Sequence, residues 1–365
     1  MPLVYDELYY NNCTSNALLY NESRDKCELS ITICGIGNTT MLILVITFGS
    51  IGFLGNAAFI FVVGRVESMR TLPNYYIINL AVADVLCLIS FLLQPLVYPF
   101  SFADTDTFVF LRSFMMDTGT FTSILTVAMI SVDRYNALCR PMQPSGDHYK
   151  VRVLAMITIT WIVGLLLGLC EYLVVTVLYG RIAATVIISI FACVTVFFLL
   201  FVILLYSLIA KEFAVKCLQR ASEGVAHAPA RLREERQVLG ICLIIVVVFF
   251  VCIAPSVYIL LISTITFFYP DVAFNSEFDY CMITLSPVMM IINFALNPFV
   301  YNLPSGNHRI AFRLAFSRRL AQQYAQCQYA AHRSRSSTKN VEISGGSIVH
   351  VDPQLGIQMN ILTSL

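Results

Sequence analysis

Seven stretches of about twenty residues, near 41–63, 74–98, 108–132, 151–175, 182–210, 237–263 and 281–303, are almost wholly apolar, and as a helix each can cross the hydrocarbon core of a bilayer. Acidic residues inside them are few: Asp84, Asp117 and Glu171, with Asp133 beside Arg134 at the end of the third. In hydrocarbon every backbone N–H and C=O must be satisfied within the chain, which leaves helices for single stretches of this kind. Composition points the same way, with 58% apolar and 12% charged residues against roughly 45–50% and 25% in soluble domains. So few charges cannot cover so much apolar surface in water. The expected fold class is all-α, a seven-transmembrane helix bundle.

Lys and Arg beside membrane spans are retained on the cytoplasmic side. All but Arg24, Lys26, Arg112 and Arg181 of the 23 Lys and Arg residues fall on one side, so the N-terminus is expected outside and the C-terminus inside, in the plasma membrane. This divides the chain into an extracellular segment over 1–40, a membrane domain over 41–303 and a cytoplasmic tail over 304–365. The first forty residues lack a basic start followed by an apolar core, so the first span is expected to direct insertion. They carry N-x-S/T sequons at Asn12, Asn21 and Asn38, expected glycosylation sites on a segment that faces outward. Of the 12 cysteines, those facing an oxidising compartment are Cys13, Cys27, Cys34 and Cys281. The expected bridge joins Cys281 to one of the other three, with a pairing inside the N-terminal segment as the alternative.

Polar groups inside the membrane are costly, and each asks for a partner or a function. Asp84 lies in the middle of the second span, after Asn79; Asn56 follows Gly55 in the first, Ser123 lies in the third, and Asn293 and Asn297 in the seventh. One carboxylate with neutral oxygen donors on neighbouring helices suits a small hard cation or ordered waters, or else a polar knot that holds the helices together. The third span ends in Asp133-Arg134-Tyr135 and the seventh in Asn297-Pro298-Phe299-Val300-Tyr301. An acid beside an arginine can form a local ion pair that must break before the arginine does anything else. Pro298 removes a backbone hydrogen bond and bends its helix, leaving a carbonyl for Asn297 or water to satisfy, and Pro255 is expected to bend the sixth.

Together these residues resemble the rhodopsin-like G-protein-coupled receptors, from the first span to the seventh. The resemblance rests on Gly55-Asn56, Leu80 to Asp84, Asp133-Arg134-Tyr135, Trp161, Phe249 and Cys252 before Pro255, and Asn297-Pro298-x-x-Tyr301, in order and on the matching spans. It implies that Arg134 receives a heterotrimeric G protein when the sixth helix swings outward, with Glu235 as the acid that restrains it and Tyr206, Pro298 and Tyr301 in the switch. Neutralising Glu235 is then expected to raise basal signalling. The family's sodium pocket maps onto Asp84, Ser123, Asn293 and Asn297, so Na+ is the one cofactor implied.

The departures lie in the outer half. Val109 stands where the family has a cysteine bridged to the second outer loop, Ile253 where it has a tryptophan two residues before Pro255, and Phe198 where the fifth helix has a proline. Ile291 stands where light receptors carry a lysine, which argues against retinal; Met116 stands where amine receptors carry an aspartate, with Asp117 about 100° further round the helix. A neuropeptide or other peptide ligand is expected, with a lipid-like or other small ligand as the alternative. The candidate pocket comprises Gln94, Tyr98, Arg112, Asp117, Thr120 and Tyr258. Ten acids against four bases on the outward side would attract a cationic peptide.

Residues 308–316 alternate bases and large apolar residues at helical spacing, an expected short amphipathic eighth helix on the inner membrane lipid. Ser334, Ser336, Ser337 and Thr338 lie among bases as candidate kinase sites, arrestin is implied as a partner by the resemblance, and Thr363-Ser364-Leu365 resembles a PDZ-domain ligand. No nucleotide loop, metal-ligand cluster or nucleophile with an adjacent base appears in the polar segments, so neither catalysis nor a nucleic-acid partner is expected. The rival readings are a seven-helix transporter or channel using Asp84 as an ion site, and a receptor-like protein that is constitutive or silent.

Overall fold

The computed structural model describes residues 38–97, 106–139, 147–177, 181–223, 228–269, 277–302 and 306–317, with Arg319 and Gln322. Among the described residues eight α-helices follow one another: α1 (Asn38–Arg65), α2 (Leu72–Val97), α3 (Asp106–Cys139), α4 (Asp147–Val177), α5 (Arg181–Glu223), α6 (Ala228–Phe268), α7 (Glu277–Asn302) and α8 (Gly306–Phe316). A single 3-10 turn, Glu67–Met69, joins α1 to α2. There is no strand among the described residues. Helices α1 to α7 are each long and apolar enough to cross a membrane, and the protein is a multi-pass membrane protein.

Solvent explains the ranking of these helices. The span in α3 has a mean hydropathy of 1.3, the lowest of the seven, yet 78% of it is buried, whereas those in α1 and α4 are more apolar and only 22% buried. A helix surrounded by other helices can carry hydroxyls and carboxylates that find protein partners, while a peripheral helix must present aliphatic side chains to lipid. Helix α3 accordingly packs against α2, α4 and α5 and reaches α6; α1 lies against α2 and α7, and α6 against α5 and α7. The lipid-facing residues include Leu54, Leu166, Phe197 and Val251, all exposed.

Close helix approach needs a missing side chain where the backbones meet. At Gly119 of α3 an added carbon would be driven into Cys87 Sγ and within 3.0 Å of the Ala83 carbonyl, and at Gly52 of α1 within 2.7 Å of Ala295 Cα. Glycine at these points lets α2 and α7 come near enough for the polar contacts described below.

Helices α5 and α6 run well beyond their apolar stretches into the segment between them. The segment 211–236 reads as one long connection in the sequence, but α5 continues to Glu223 and α6 begins at Ala228. Residues 211–223 contain neither Gly nor Pro and are rich in Lys, Glu, Ala, Leu and Gln, which favour helix once a membrane-embedded helix has supplied the nucleus. Pro229 stands in the first turn of α6, where a missing N–H costs nothing. Considered by itself, α8 is amphipathic: Arg309 and Arg313 are exposed, and the Phe312 and Phe316 rings lie one turn apart with centroids separated by 6.2 Å.

Candidate functional site

The polar core begins with a proline. Pro298 has no N–H to give the carbonyl of Phe294, four residues earlier, and the amide of Asn56 on α1 donates to that carbonyl at 3.0 Å and also to Gly52 O at 3.0 Å. The sequence reading assigned the freed carbonyl to Asn297 or water; Asn56 is the donor, and Asn297 is left to turn toward α2. Its Nδ2 donates to Asp84 Oδ2 at 2.6 Å, while Ser123 Oγ on α3 donates to Asp84 Oδ1 at 3.4 Å. Asp84 and Asn56 are fully buried, and Ser123, Asn293 and Asn297 nearly so. Both oxygens of the acid are therefore engaged by neutral donors from α3 and α7.

Two acceptors in this layer, Asn56 Oδ1 and Asn293 Oδ1, are buried and find no partner among the described residues. An unmatched buried carbonyl oxygen costs about 1–3 kcal/mol. A carboxylate, a hydroxyl and spare amide oxygens on four helices form a donor set that fits a small hard cation with its waters. Asp84, Ser123 and Asn293 would hold it, and it would supply a positive charge to the buried carboxylate.

At the basic end of the bundle, Arg134 Nη2 lies 2.9 Å from Asp133 Oδ2, the ion pair expected from adjacent residues at the end of α3. A further partner comes from α4: Tyr149 Oη donates to Asp133 Oδ1 at 2.7 Å. Asp133 is buried, so a charge-assisted bond and a phenol hold both its oxygens in a partly desolvated place. The sequence reading missed Tyr149, which belongs to no motif and meets Asp133 only because α3 and α4 pack side by side. Tyr135 is half-buried, Tyr206 is buried on α5, and Pro298 is buried at the end of the polar core. The side chains of Glu235 and Tyr301 lie outside the described residues.

A second set of bonds keeps these two layers in register. Asn79 on α2 accepts from Trp161 Nε1 of α4 at 2.7 Å, and its amide donates to Thr126 Oγ1 of α3 at 2.7 Å and more weakly to Thr160 Oγ1 at 3.3 Å. One asparagine thus ties three helices together, using its acceptor and both donors.

At the opposite end the expected pocket residues are only partly gathered. Asp117 is buried on α3; Thr120 is half-buried with its hydroxyl 3.8 Å from Cys87 Sγ on α2, and Arg112 is half-buried one turn nearer the helix end. Tyr258 of α6 donates its hydroxyl to Asp279 of α7 and sets its ring edge-on to Phe278 at 5.2 Å. Below that pair, Ser256 and Ser286 share a hydrogen bond of 2.7 Å, both buried. Asp279, Ser256 and Ser286 were not among the expected site residues, and Pro287, legible in the sequence as a helix bend beside Ser286, is their only signal. Gln94, Tyr98, the sequons at Asn12, Asn21 and Asn38, and Cys13, Cys27 and Cys34 have side chains outside the described residues. Cys281 is disulfide-bonded.

The departures from the family at Ile253 and Phe198 lie in apolar surroundings. Ile253 is buried, and Phe198 and Phe249 line, with Ile124, Val127 and Val246, an apolar cleft of about 230 Å³, its open mouth included, between α3, α5 and α6.

The sequence pattern of the family described as the seven-transmembrane receptors of the rhodopsin family matches residues 55–301. Among curated proteins the chain is 27% identical over 294 residues to the growth hormone secretagogue receptor type 1 of Mustela putorius furo, covering 72% of this chain and 76% of that one. It is likewise 27% identical over 284 residues to the substance-K receptor of Mus musculus, covering 72% and 71%. A bombesin receptor of Bombina orientalis is 27% identical over 291 residues, covering 72% of each.

Proposed function

The chain belongs to the rhodopsin family of seven-transmembrane receptors, a signalling class, and from that premise we propose that it is a plasma-membrane receptor for an extracellular peptide that passes binding to heterotrimeric G proteins. The observation that carries the coupling half is the Asp133–Arg134 pair at the basic end of α3, with Tyr149 on the second oxygen of the acid. Arg134 is a cation held in reserve: it becomes available to a partner only when a helix rearrangement dissolves its contact with Asp133. The basic end faces the cytoplasm, because nearly all Lys and Arg lie there, and the N-terminus is extracellular and glycosylated.

The ligand class rests on different support. The bombesin and substance-K receptors are named for peptides, and the outward segments of this chain carry an excess of acid, which favours a cationic peptide over a neutral lipid. Asp117 is the acid on which a basic ligand group would bear. Na+ at Asp84 acts as an allosteric partner that favours the resting arrangement. Arrestin and a PDZ domain at the C-terminus complete the intracellular partners.

The test is a screen of peptide and lipid libraries on cells expressing the full chain, read by G-protein dissociation, with Arg134→Ala as the control. A peptide that signals through the wild type and not through the Arg134 variant is the expected result. A lipid hit would overturn the ligand class alone. No dissociation of any G-protein class, with or without ligand, at normal surface expression would overturn the coupling reading, and ion flux in vesicles holding the purified protein would replace it with transport.

A further inference from the structure

Two side-chain hydrogen bonds join the outer ends of α6 and α7. Each helix is interrupted by a proline, Pro255 in α6 and Pro287 in α7, and a proline deletes the hydrogen bond to the carbonyl one turn earlier, which makes it a point of bending. Immediately beside these points Ser256 and Ser286 are hydrogen-bonded at 2.7 Å, both almost wholly buried. Further out, Tyr258 donates to the buried Asp279 and sets its ring against Phe278. Cys281, one turn along α7 from Phe278 and two residues from Asp279, is disulfide-bonded.

We propose that the outer segments of α6 (256–268) and α7 (277–286) form one hydrogen-bonded body hinged at Pro255 and Pro287, with Tyr258 and Asp279 as the positioning pair through which events at the outer surface reach α6. Ile253, two residues before Pro255, is a buried aliphatic side chain that offers no hydrogen bond to a neighbour. One hydroxyl–hydroxyl bond and one phenol–carboxylate bond supply the directional attachment that Ile253 lacks. A force applied to the outer end of α7 is then delivered to α6 on the outer side of its bend, and α6 pivots about Pro255. In the resting state the same contacts hold α6 in place.

The signalling half of this inference rests on the receptor reading; the mechanical half does not, and the two are measured separately. Hydrogen exchange is followed by mass spectrometry on the purified full chain in nanodiscs, comparing the wild type with Tyr258→Phe, Ser286→Ala and Asp279→Asn. Tyr258→Phe keeps the ring on Phe278 and removes the donor; Asp279→Asn keeps an acceptor oxygen. Tyr258→Phe and Ser286→Ala are expected to speed exchange roughly fivefold in both outer segments together, leaving 243–254 unchanged, and Asp279→Asn to do so less. Faster exchange in one helix alone, or in neither, overturns the single body. Thermal melts alongside identify a variant that fails to fold, and the inference then stands or falls on the remaining two. In cells, Tyr258→Phe is expected to raise ligand-free G-protein dissociation several-fold at matched surface expression. Coordinated exchange with an unchanged ligand-free signal in a wild type that does couple overturns the relay. A wild type that never couples overturns the receptor reading and leaves the mechanical result in place.

Discussion

Replacing Tyr149 with phenylalanine removes one oxygen and leaves the ring in its place beside α3. The lost bond, 2.7 Å from Tyr149 Oη to Asp133 Oδ1, has an ionised acceptor, and bonds of that kind contribute about 1.5–3 kcal/mol. Tyr149 is half-exposed and water can partly replace it, so the lower figure applies, about 1.5 kcal/mol, or roughly a tenfold change in an equilibrium. Only the part of that energy present in the resting arrangement and absent from the signalling one moves the balance. If the signalling arrangement holds about 1% of the population at rest, Tyr149→Phe raises it to about 10%. The assay is ligand-free G-protein dissociation at matched surface expression, with Asp133→Asn as the reference because it disturbs both contacts of the acid. The expected order is Asp133→Asn above Tyr149→Phe above wild type. A Tyr149→Phe signal equal to wild type while Asp133→Asn rises would refute the reasoning, since the phenol would then contribute equally to both arrangements.

Gly119→Leu is expected to cost more than the roughly 1–3 kcal/mol of ordinary overpacking, because the nearest atoms are backbone and a buried thiol, whereas Gly64→Ala meets nothing within 4 Å and should be neutral; melting of the detergent-solubilised protein separates the two. Raising NaCl, but not choline chloride at the same ionic strength, should raise the melting temperature of the wild type, and Asp84→Asn should abolish the difference. Mapping of unreduced peptides should find Cys281 joined to Cys13, Cys27 or Cys34, and a link to any other cysteine would remove the N-terminal tether. Glu235→Gln should raise ligand-free signalling, with an unchanged signal counting against its restraining role.

What could be read directly from the chain was set by lipid and by covalent chemistry. Hydrocarbon demands about twenty apolar residues per crossing, so seven helices and their order are visible in composition alone. Polar residues within them stand out because each is costly, which is why Asp84, Ser123, Asn297 and the Asp133–Arg134 pair are all legible in the chain itself. Pro298 likewise announces a freed carbonyl, since its missing N–H is a property of the residue.

Which donor meets that carbonyl was not legible. Asn56 and Asn297 are chemically the same, and only the close packing of α1 against α7 at Gly52 gives the task to Asn56 and releases Asn297 to Asp84. Tyr149 and Asp279 are ordinary residues near helix ends in one dimension; they become a clamp and a latch because α4 lies beside α3 and α7 beside α6. A linear pattern records the cost of burying each group, which is local. It does not record who answers that cost, because the answer comes from another helix, and the helices settle their pairing only when they pack.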